Sequence, residues 1–470
     1  MQRLSMGGLW SPKLCSPHGR ALALVLGVGL ALRLALVAYV APYPERYLQT
    51  DAIGYHQLAQ NLVQGHGFSR DSAPPYRPDN FRTPIYPLTL AAVYRLFDRE
   101  PVAMLFLQAL MGTLTVLGVY LMARRLIAPR AGLLAAALLA LSPHSILYTA
   151  LLWSDTEYTL LLTGSIFLGM VMLARPEPKW ALASGLALGL ATLTHPRSLY
   201  LPLLFVVAWS AARLRQGAPR RQIVGHAVLY LLAFQMVLLP WRLRNLARFG
   251  VPNLTSAPGI NMLYYGAALA KALETGEDHW SVAQRYDAQL REQGAFRWNE
   301  AEFADRALRL ALDEIGKRPW NYARVHLLGT AKVFLPGVFA VNTVLTGETQ
   351  IDTSAIYGML ITAPSQWRSL MTALETFPPT FWAYMAFTVP YLALVYGLAL
   401  RTLLAHLRRP SWPWLFGGIV LYLAGVAGPA GAPRFRVAIM PLLCVLASHS
   451  LVALWPLRGH GKAGPPPGGP

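Results

Sequence analysis

The stretch Tyr47–Phe68, "YLQTDAIGYHQLAQNLVQGHGF", sets a carboxylate, Asp51, at the head of a half-polar run. Tyr55, Leu58, Ala59, Leu62 and Val63 recur there at three- and four-residue spacing, which predicts an amphipathic helix that Gly65 and Gly67 stop. A second acid, Glu157, lies in "LLWSDTEYTLL" with Asp155 beside it. Cations gather in other polar breaks: Arg82 in "FRTPIYPLTLA", Arg197 in "THPRSLYLP", Arg242 and Arg244 in "LLPWRLRN", and Arg434 and Arg436 in "GAPRFRVAIMP". A positioned carboxylate can take the proton of a weak nucleophile, and arginines together can hold a phosphate diester or pyrophosphate at a bilayer surface. Plainer roles compete. Asp51 could cap its helix, Glu157 could sit solvated at a helix mouth, and each arginine could anchor a helix end to lipid phosphates. Tyr55 and His56, on the run that begins with Asp51, are candidates for a substrate groove. The spacing of Asp51, His56 and His66 matches no metal template; no cofactor is expected, and a divalent ion stays open without support from ligand spacing. No Walker loop, GxGxxG, HExxH or GxSxG occurs.

The elements that must position these groups are membrane helices. The chain is 54% hydrophobic and 13% charged, with a mean hydropathy of +0.38. A hydrocarbon core needs roughly 20 apolar residues per helix. Pro101–Ala123, Phe381–Leu400, Trp412–Ala430 and Val437–Trp455 are free of charge. Ala21–Tyr39, which carries only Arg33, and Ala131–Tyr148, Tyr158–Ala174 and Ile223–Trp241 add four. Trp180–Leu193 and Leu199–Ala212, hinged at "THPRS", bring the expectation to ten, or to twelve if the region 326–373 crosses twice. His326–Leu345, with Lys332 and a Pro336-Gly337 break, reads as interfacial or re-entrant.

A net charge of +19 raises the prospect of a nucleic-acid partner, but the charge lies in alternate loops. The N-terminus, the loops near 124–130, 175–179, 213–221 and 401–411, and the tail hold 17 Lys or Arg against the single acid Glu177. Residues 42–100 hold six of each sign, and 242–380 hold fourteen basic and thirteen acidic. This is the positive-inside pattern. It reduces a nucleic-acid partner to a minor reading and puts both termini in the cytoplasm and the two large loops outside. Arg3, Lys13 and Arg20 precede an apolar run long enough to span, which reads as an uncleaved anchor. The expected organisation is a cytoplasmic leader 1–20, helices one to seven over 21–241 with a first outer, catalytic loop at 42–100, a large outer loop 242–380, C-terminal helices over 381–456, and a Pro/Gly-rich disordered tail 457–470. The second loop holds another amphipathic piece, "AEFADRALRLALDEIGKRP", striped by Ala304, Ala307, Leu308, Ala311, Leu312 and Ile315. Both pieces are expected to lie at the membrane surface. The fold class is thus all-α and polytopic. Cys15 and Cys444 fall in different parts of this topology and form no disulfide.

In order along the chain, "TDAIGYHQLAQNLVQGHGFS", "YRPDNFRTPIYPLTLAAVY", "LSPHSILYTALLWSDTEYTLL", "LGLATLTHPRSLYLP", "LLPWRLRNLARFG" and "PRFRVAIMPLL" resemble the C-type, polyprenyl-phosphate-dependent glycosyltransferases. The likeness is to the bacterial branch related to protein O-mannosyltransferases and the aminoarabinose transferase of lipid A, and it runs from about Ala21 to Trp455. The resemblance implies an outward-facing site in a bacterial cytoplasmic membrane, a polyprenyl-phosphate sugar donor, inversion at the anomeric carbon, and a glycan, lipid or protein acceptor. It also implies that Asp51 is the catalytic base and Glu157 the acid at the outer end of the next helix pair. Arg82, Arg197, Arg434 and Arg436 then become donor-phosphate contacts, with Tyr55, His56, Arg242 and Arg244 in the groove. Where protein O-mannosyltransferases often pair Asp with Glu, this chain has Ala52 after Asp51. A lipid-linked-sugar flippase would share the basic groove without needing Asp51, and a non-catalytic part of an envelope-glycan assembly complex is a third reading.

Overall fold

The computed structural model describes residues 16–292, 294, 301–337, 339–347, 377–408 and 411–455. The leader to residue 15, Cys15, the possible crossing between 350 and 373 and the tail 457–470 lie outside the described residues. Among the described residues there are helices and no strands.

The first half runs through α1 (Pro17–Val40), α2 (Asp51–Gln64), α3 (Ile85–Leu96), α4 (Pro101–Leu126), α5 (Pro129–Ala140), α6 (Pro143–Leu147), α7 (Asp155–Ala174) and α8 (Pro178–Thr194). Then come α9 (Leu201–Arg215), α10 (Arg220–Phe249), α11 (Ala257–Asn261), α12 (Ala268–Thr275), α13 (His279–Glu292), α14 (Ala301–Lys317) and α15 (Pro319–Lys332). The chain closes with α16 (Pro379–Ala405), α17 (Trp412–Ala427) and α18 (Met440–Leu454). Six described stretches, α1, α4, α7, α10, α16 and Trp412–Ala430, are long and apolar enough to cross a membrane, and the pair Pro129–Ala140 and Pro143–Ala150, bent by 58°, would make seven. All ten segments read as spans are helical. Three of them fold as shorter helices: α8 has 17 residues, α9 has 15 and α18 has 15. As spans, these three rest on the sequence expectation rather than on helix length.

Small residues bring the helices together. On α8, a Cβ on Gly185 would meet the Tyr230 carbonyl oxygen of α10 at 2.4 Å, and one on Gly189 would meet Val237 at 2.7 Å. This small-xxx-small stripe lets two backbones approach where lipid offers no hydrophobic drive. Ser165 of α7 and Ser184 of α8 exchange hydroxyl-to-carbonyl bonds at 3.0 Å. Leu24, Val28 and Leu32 on α1, and Leu232, Met236 and Leu239 on α10, face outward from the bundle as a lipid-facing surface would.

Both amphipathic pieces form, and much of each apolar stripe packs on other parts of the protein. Gly65, at φ +82°, ends α2 in the left-handed region, as a C-terminal glycine does. Ala52, Tyr55, Leu58 and Ala59 of α2 are buried against protein. On α14, Phe303, Ala304, Ala307 and Ala311 are buried against Leu263, Ala268, Val282 and Tyr286 of the outer helices. Protein thus covers part of each apolar stripe, while Leu312 of α14 stays 55% exposed. His326–Leu345 is no single segment: α15 ends at Lys332, and a π-helical turn, Asn342–Thr346, follows the Pro336-Gly337 break.

Candidate active site

Asp51 does not cap its helix. It is the first residue of α2, and Thr50, the residue before it, makes no side-chain capping bond. Its carboxylate points elsewhere: Oδ1 accepts from Arg82 Nη2 at 2.6 Å and Oδ2 from Arg434 Nη1 at 2.6 Å. Arg434 Nη2 then lies 3.7 Å from Asp155 Oδ2, and Asp155 Oδ1 accepts from Arg197 Nη2 at 3.3 Å. Positions 82, 51, 434, 155 and 197 thus form one alternating chain of charges. Three guanidiniums against two carboxylates leave one positive charge over.

Aromatic rings hold the guanidiniums from the side. Arg82 lies 4.6 Å from the Tyr55 ring centre, Arg434 lies 4.5 Å from Trp153, and Arg197 lies 4.1 Å from Phe435. Such contacts contribute about 0.5 to 2 kcal/mol each and leave the edge N–H groups free for oxygen acceptors. Arg197 also donates through Nε to His195 Nδ1 at 3.2 Å. Burial, with Arg197 beside it, pushes the His195 imidazole well below its ordinary value, so it is a neutral acceptor.

The loop that carries Arg82 is built around a buried acid, Asp79. Its Oδ1 accepts from the backbone N–H of Phe81 at 2.9 Å and of Arg82 at 3.1 Å, while Oδ2 pairs with Arg70 at 2.5 Å. Thr255 donates to the Phe81 carbonyl at 2.6 Å and Thr83 donates to Thr194 at 3.1 Å. Arg244 belongs to this scaffold, since its Nη1 donates to the Asp79 carbonyl at 2.8 Å. It steadies the loop instead of entering the charge chain.

The other candidates are dispersed. Glu157 is buried and accepts from Thr89 at 2.8 Å, and among the described residues no arginine pairs with it. Its neighbour Asp155 takes the place in the cluster. Arg436 is fully buried and donates to the Leu335 carbonyl, away from Asp51. Arg242 bonds Gln235 at 3.4 Å. Tyr55 reaches Ser154 at 3.1 Å and lies under Arg82, whereas His56 turns to the Tyr94 hydroxyl at 2.6 Å. Burial keeps His56 below its usual value. Beyond the sequence reading, Trp153, Phe435 and Asp79 join the site. Burial, with a smaller contribution from Asp51, raises the Tyr265 phenol above its usual value.

The donor set suits an anion. Both acids already have oxygens on arginines, and among the described residues no group of three His, Cys, Asp or Glu could hold a metal ion. A groove of about 530 Å³ lined by Pro178, Pro219, Arg221, Gln222, His226 and Leu229 opens at the far end of α10, with no carboxylate in its lining.

Burial opposes the charge on Asp51, yet Arg82 and Arg434 outweigh it and hold the carboxyl well below the usual carboxylate range. A depressed carboxylate contributes stability that is complete above its unfolded value, about 3.9, and is lost as pH falls toward the folded value. Thermal unfolding of wild type and Asp51→Asn should therefore differ by a constant interval from pH 8 to about pH 5 and converge only below about pH 4. Convergence near pH 6 would contradict the two ion pairs.

Fold and site together define a class, an all-α polytopic membrane protein with an arginine–carboxylate cluster at one end of the bundle. Residues 81–241, about a third of the chain, match the family model of the dolichyl-phosphate-mannose-protein mannosyltransferases. That segment contains Arg82, Asp155, Glu157 and Arg197, and the resemblance read from the sequence holds. The oligosaccharyltransferase of Archaeoglobus fulgidus in its apo form is 14% identical over 95% of this chain and 51% of that chain, with a TM-score of 0.51. The same protein tethered to an acceptor peptide containing the NVT sequon matches at 14% identity, 95% and 50% coverage and a TM-score of 0.51. The chain thus spans about half the length of that protein, and the likeness is one of fold. ArnT from Cupriavidus metallidurans bound to undecaprenyl phosphate is 15% identical over 92% of this chain and 78% of that chain, at a TM-score of 0.38, too low to add to the fold comparison. Among curated proteins none matches significantly.

Proposed function

We propose that the chain is an inverting membrane glycosyltransferase that moves a sugar from a polyprenyl-phosphate donor to an acceptor at the outer face of a bacterial cytoplasmic membrane. The observation that carries this reading is the carboxylate of Asp51, released from any capping duty and held between two arginines that suit a phosphate. The family match over residues 81–241 supports the donor class, and the charge alternation of the loops supports cytoplasmic termini and an outward site.

In the free protein Asp51 is a weak base, because two guanidiniums stabilise its anion. A donor phosphate entering the cluster competes for Arg82 and Arg434, and the carboxylate gains basicity as they turn to the ligand. Asp51 then takes the proton of the acceptor hydroxyl or amine while that atom bonds to C1 and the C1–O bond to the phosphate breaks. The leaving polyprenyl phosphate gains negative charge, which Arg82, Arg434 and Arg197 stabilise in a partly dry groove. Asp155 keeps Arg197 and Arg434 aligned. A single displacement inverts C1, unlike the double displacement of a retaining pair.

Mass spectrometry of envelope glycans and glycoproteins from a deletion strain, complemented with wild type or Asp51→Asn, tests the reaction and reads out sugar and acceptor. A glycan lost on deletion and restored by wild type alone is expected. Full restoration by Asp51→Asn would favour a flippase. Orientation has its own test. In a background lacking Cys15 and Cys444, a cysteine at Gly276 should be labelled in intact cells by an impermeant reagent, and labelling only after the membrane is broken would invert the topology.

A further inference from the structure

The helix break between α5 and α6 lies within an apolar stretch, where every backbone carbonyl needs a partner. All four final carbonyls of α5 have one. Ala137 and Leu139 accept from the amides of Leu141 at 3.1 Å and Ser142 at 3.2 Å. Leu138 accepts from the Tyr391 hydroxyl of α16 at 2.7 Å. Ala140 accepts from Arg33 Nη1 of α1 at 3.4 Å, and the same nitrogen donates to Gly29 at 2.8 Å. Arg33 is 1% exposed, and among the described residues no carboxylate pairs with it. The bundle makes room for it at Gly112, where a Cβ would come within 2.7 Å of Nε. A guanidinium held inside a membrane bundle is costly, and here it is spent on the carbonyl at which the span breaks.

The break determines where α6 points. Ser142 caps it, its Oγ accepting from the Ser145 amide at 3.4 Å, and Pro143 begins it. His144 follows, 1% exposed, with Nε2 2.8 Å from the Pro433 carbonyl and Nδ1 unpartnered. A carbonyl only accepts, so the proton is on Nε2. Gly337 closes over the ring, a Cβ there meeting Cε1 at 2.8 Å. The residue after Pro433 is Arg434, the cation that joins Asp51 to Asp155.

We propose that His144 is a positioning residue: it fixes the backbone immediately before Arg434, from a helix whose direction Arg33 and Tyr391 set by capping the break beneath it. Its effect on the reaction rests on the reading of Arg434 as a donor-phosphate contact. Gln can place an amide N–H near the position of Nε2, whereas Phe fills the space without a donor. Hydrogen exchange of the amides of residues 434–438, measured on the full chain in lipid nanodiscs, reads the backbone without reference to activity. His144→Phe should speed exchange there about three- to tenfold and weaken binding of a polyprenyl-phosphate sugar by a similar factor, while His144→Gln restores both. Should His144→Phe fail to fold, His144→Asn, whose amide stops short of the carbonyl, takes its place in the comparison. Unchanged exchange in the donor-free variant, or His144→Gln behaving like His144→Phe, overturns the proposal. Faster exchange with unchanged donor affinity upholds the backbone role of His144 and instead removes Arg434 from the donor site.

Discussion

Asp51→Asn is expected to lower the transfer rate by about two to four powers of ten, the usual worth of a positioned base, without weakening donor binding. The two readouts must part company for a physical reason. Removing the carboxylate charge leaves Arg82 and Arg434 without their shared acid, so the cluster goes from one surplus positive charge to two. A phosphate should bind such a site at least as well as it binds wild type. The amide oxygen of Asn can still accept from one guanidinium, but it cannot take a proton from the acceptor. Stability is expected to fall too, because the substitution breaks two ion pairs in which the Asp51 side chain is 27% exposed. Melting temperature, donor affinity and single-turnover rate therefore belong on one preparation. Near-normal turnover with intact folding would leave Asp51 an organiser of arginines and no base.

Much of this site was legible because polar residues in an apolar chain are conspicuous. Asp51, Arg82, Arg197 and Arg434 stand out as charges at the ends of greasy segments, and alternation of basic loops puts those ends on one face. The choice between Asp155 and Glu157 was not legible. Two residues along a helix differ by about 200° in direction, and only the packing of α7 against the loops of Arg197 and Arg434 decides which acid meets an arginine. The same holds for Arg434 and Arg436, which share the short 3₁₀ turn Pro433–Ala438 but point to Asp51 and to Leu335 respectively. Asp79 carries no such signal, because its partners are backbone amides two and three residues on and Arg70 in the same loop, and any loop acid could make such bonds. The amphipathic stripes of α2 and α14 were read correctly as stripes. Periodicity gives the apolar face of a helix but not what covers it, and here protein covers only part of each.

The cluster also explains why the arginines need not be interchangeable. Arg434 spends two different nitrogens on two different acids, Nη1 on Asp51 and Nη2 near Asp155, while its guanidinium lies 4.5 Å from the ring centre of Trp153. A lysine offers one nitrogen and no planar fork. Its three N–H groups leave from a single atom, so it cannot reproduce the pairing of separate nitrogens with the two acids or the stacking on Trp153.

Arg434→Gln should accordingly weaken binding of a polyprenyl-phosphate sugar about ten- to a hundredfold, since a charge-assisted contact to phosphate contributes about 1.5 to 3 kcal/mol. Arg434→Lys should recover only part of that loss. Stability should fall as well, for Asp155 is 1% exposed and would keep only Arg197; stranding one partner of a buried pair costs about 3 to 5 kcal/mol, and the remaining arginine reduces this. Two comparisons separate donor binding from general damage. Glu157→Gln replaces a carboxyl at the same helix end without breaking an ion pair, and it should leave donor affinity within about twofold of wild type. Arg242→Gln, outside the cluster, should do the same. Isothermal titration of purified variants with a polyprenyl-phosphate sugar, alongside their melting temperatures, reads all four. If Arg434→Gln folds and binds donor as wild type does, the arginine is a bridge between two acids and the phosphate site lies elsewhere. If it binds weakly while Glu157→Gln and Arg242→Gln do not, the single surplus positive charge of the cluster has found its ligand.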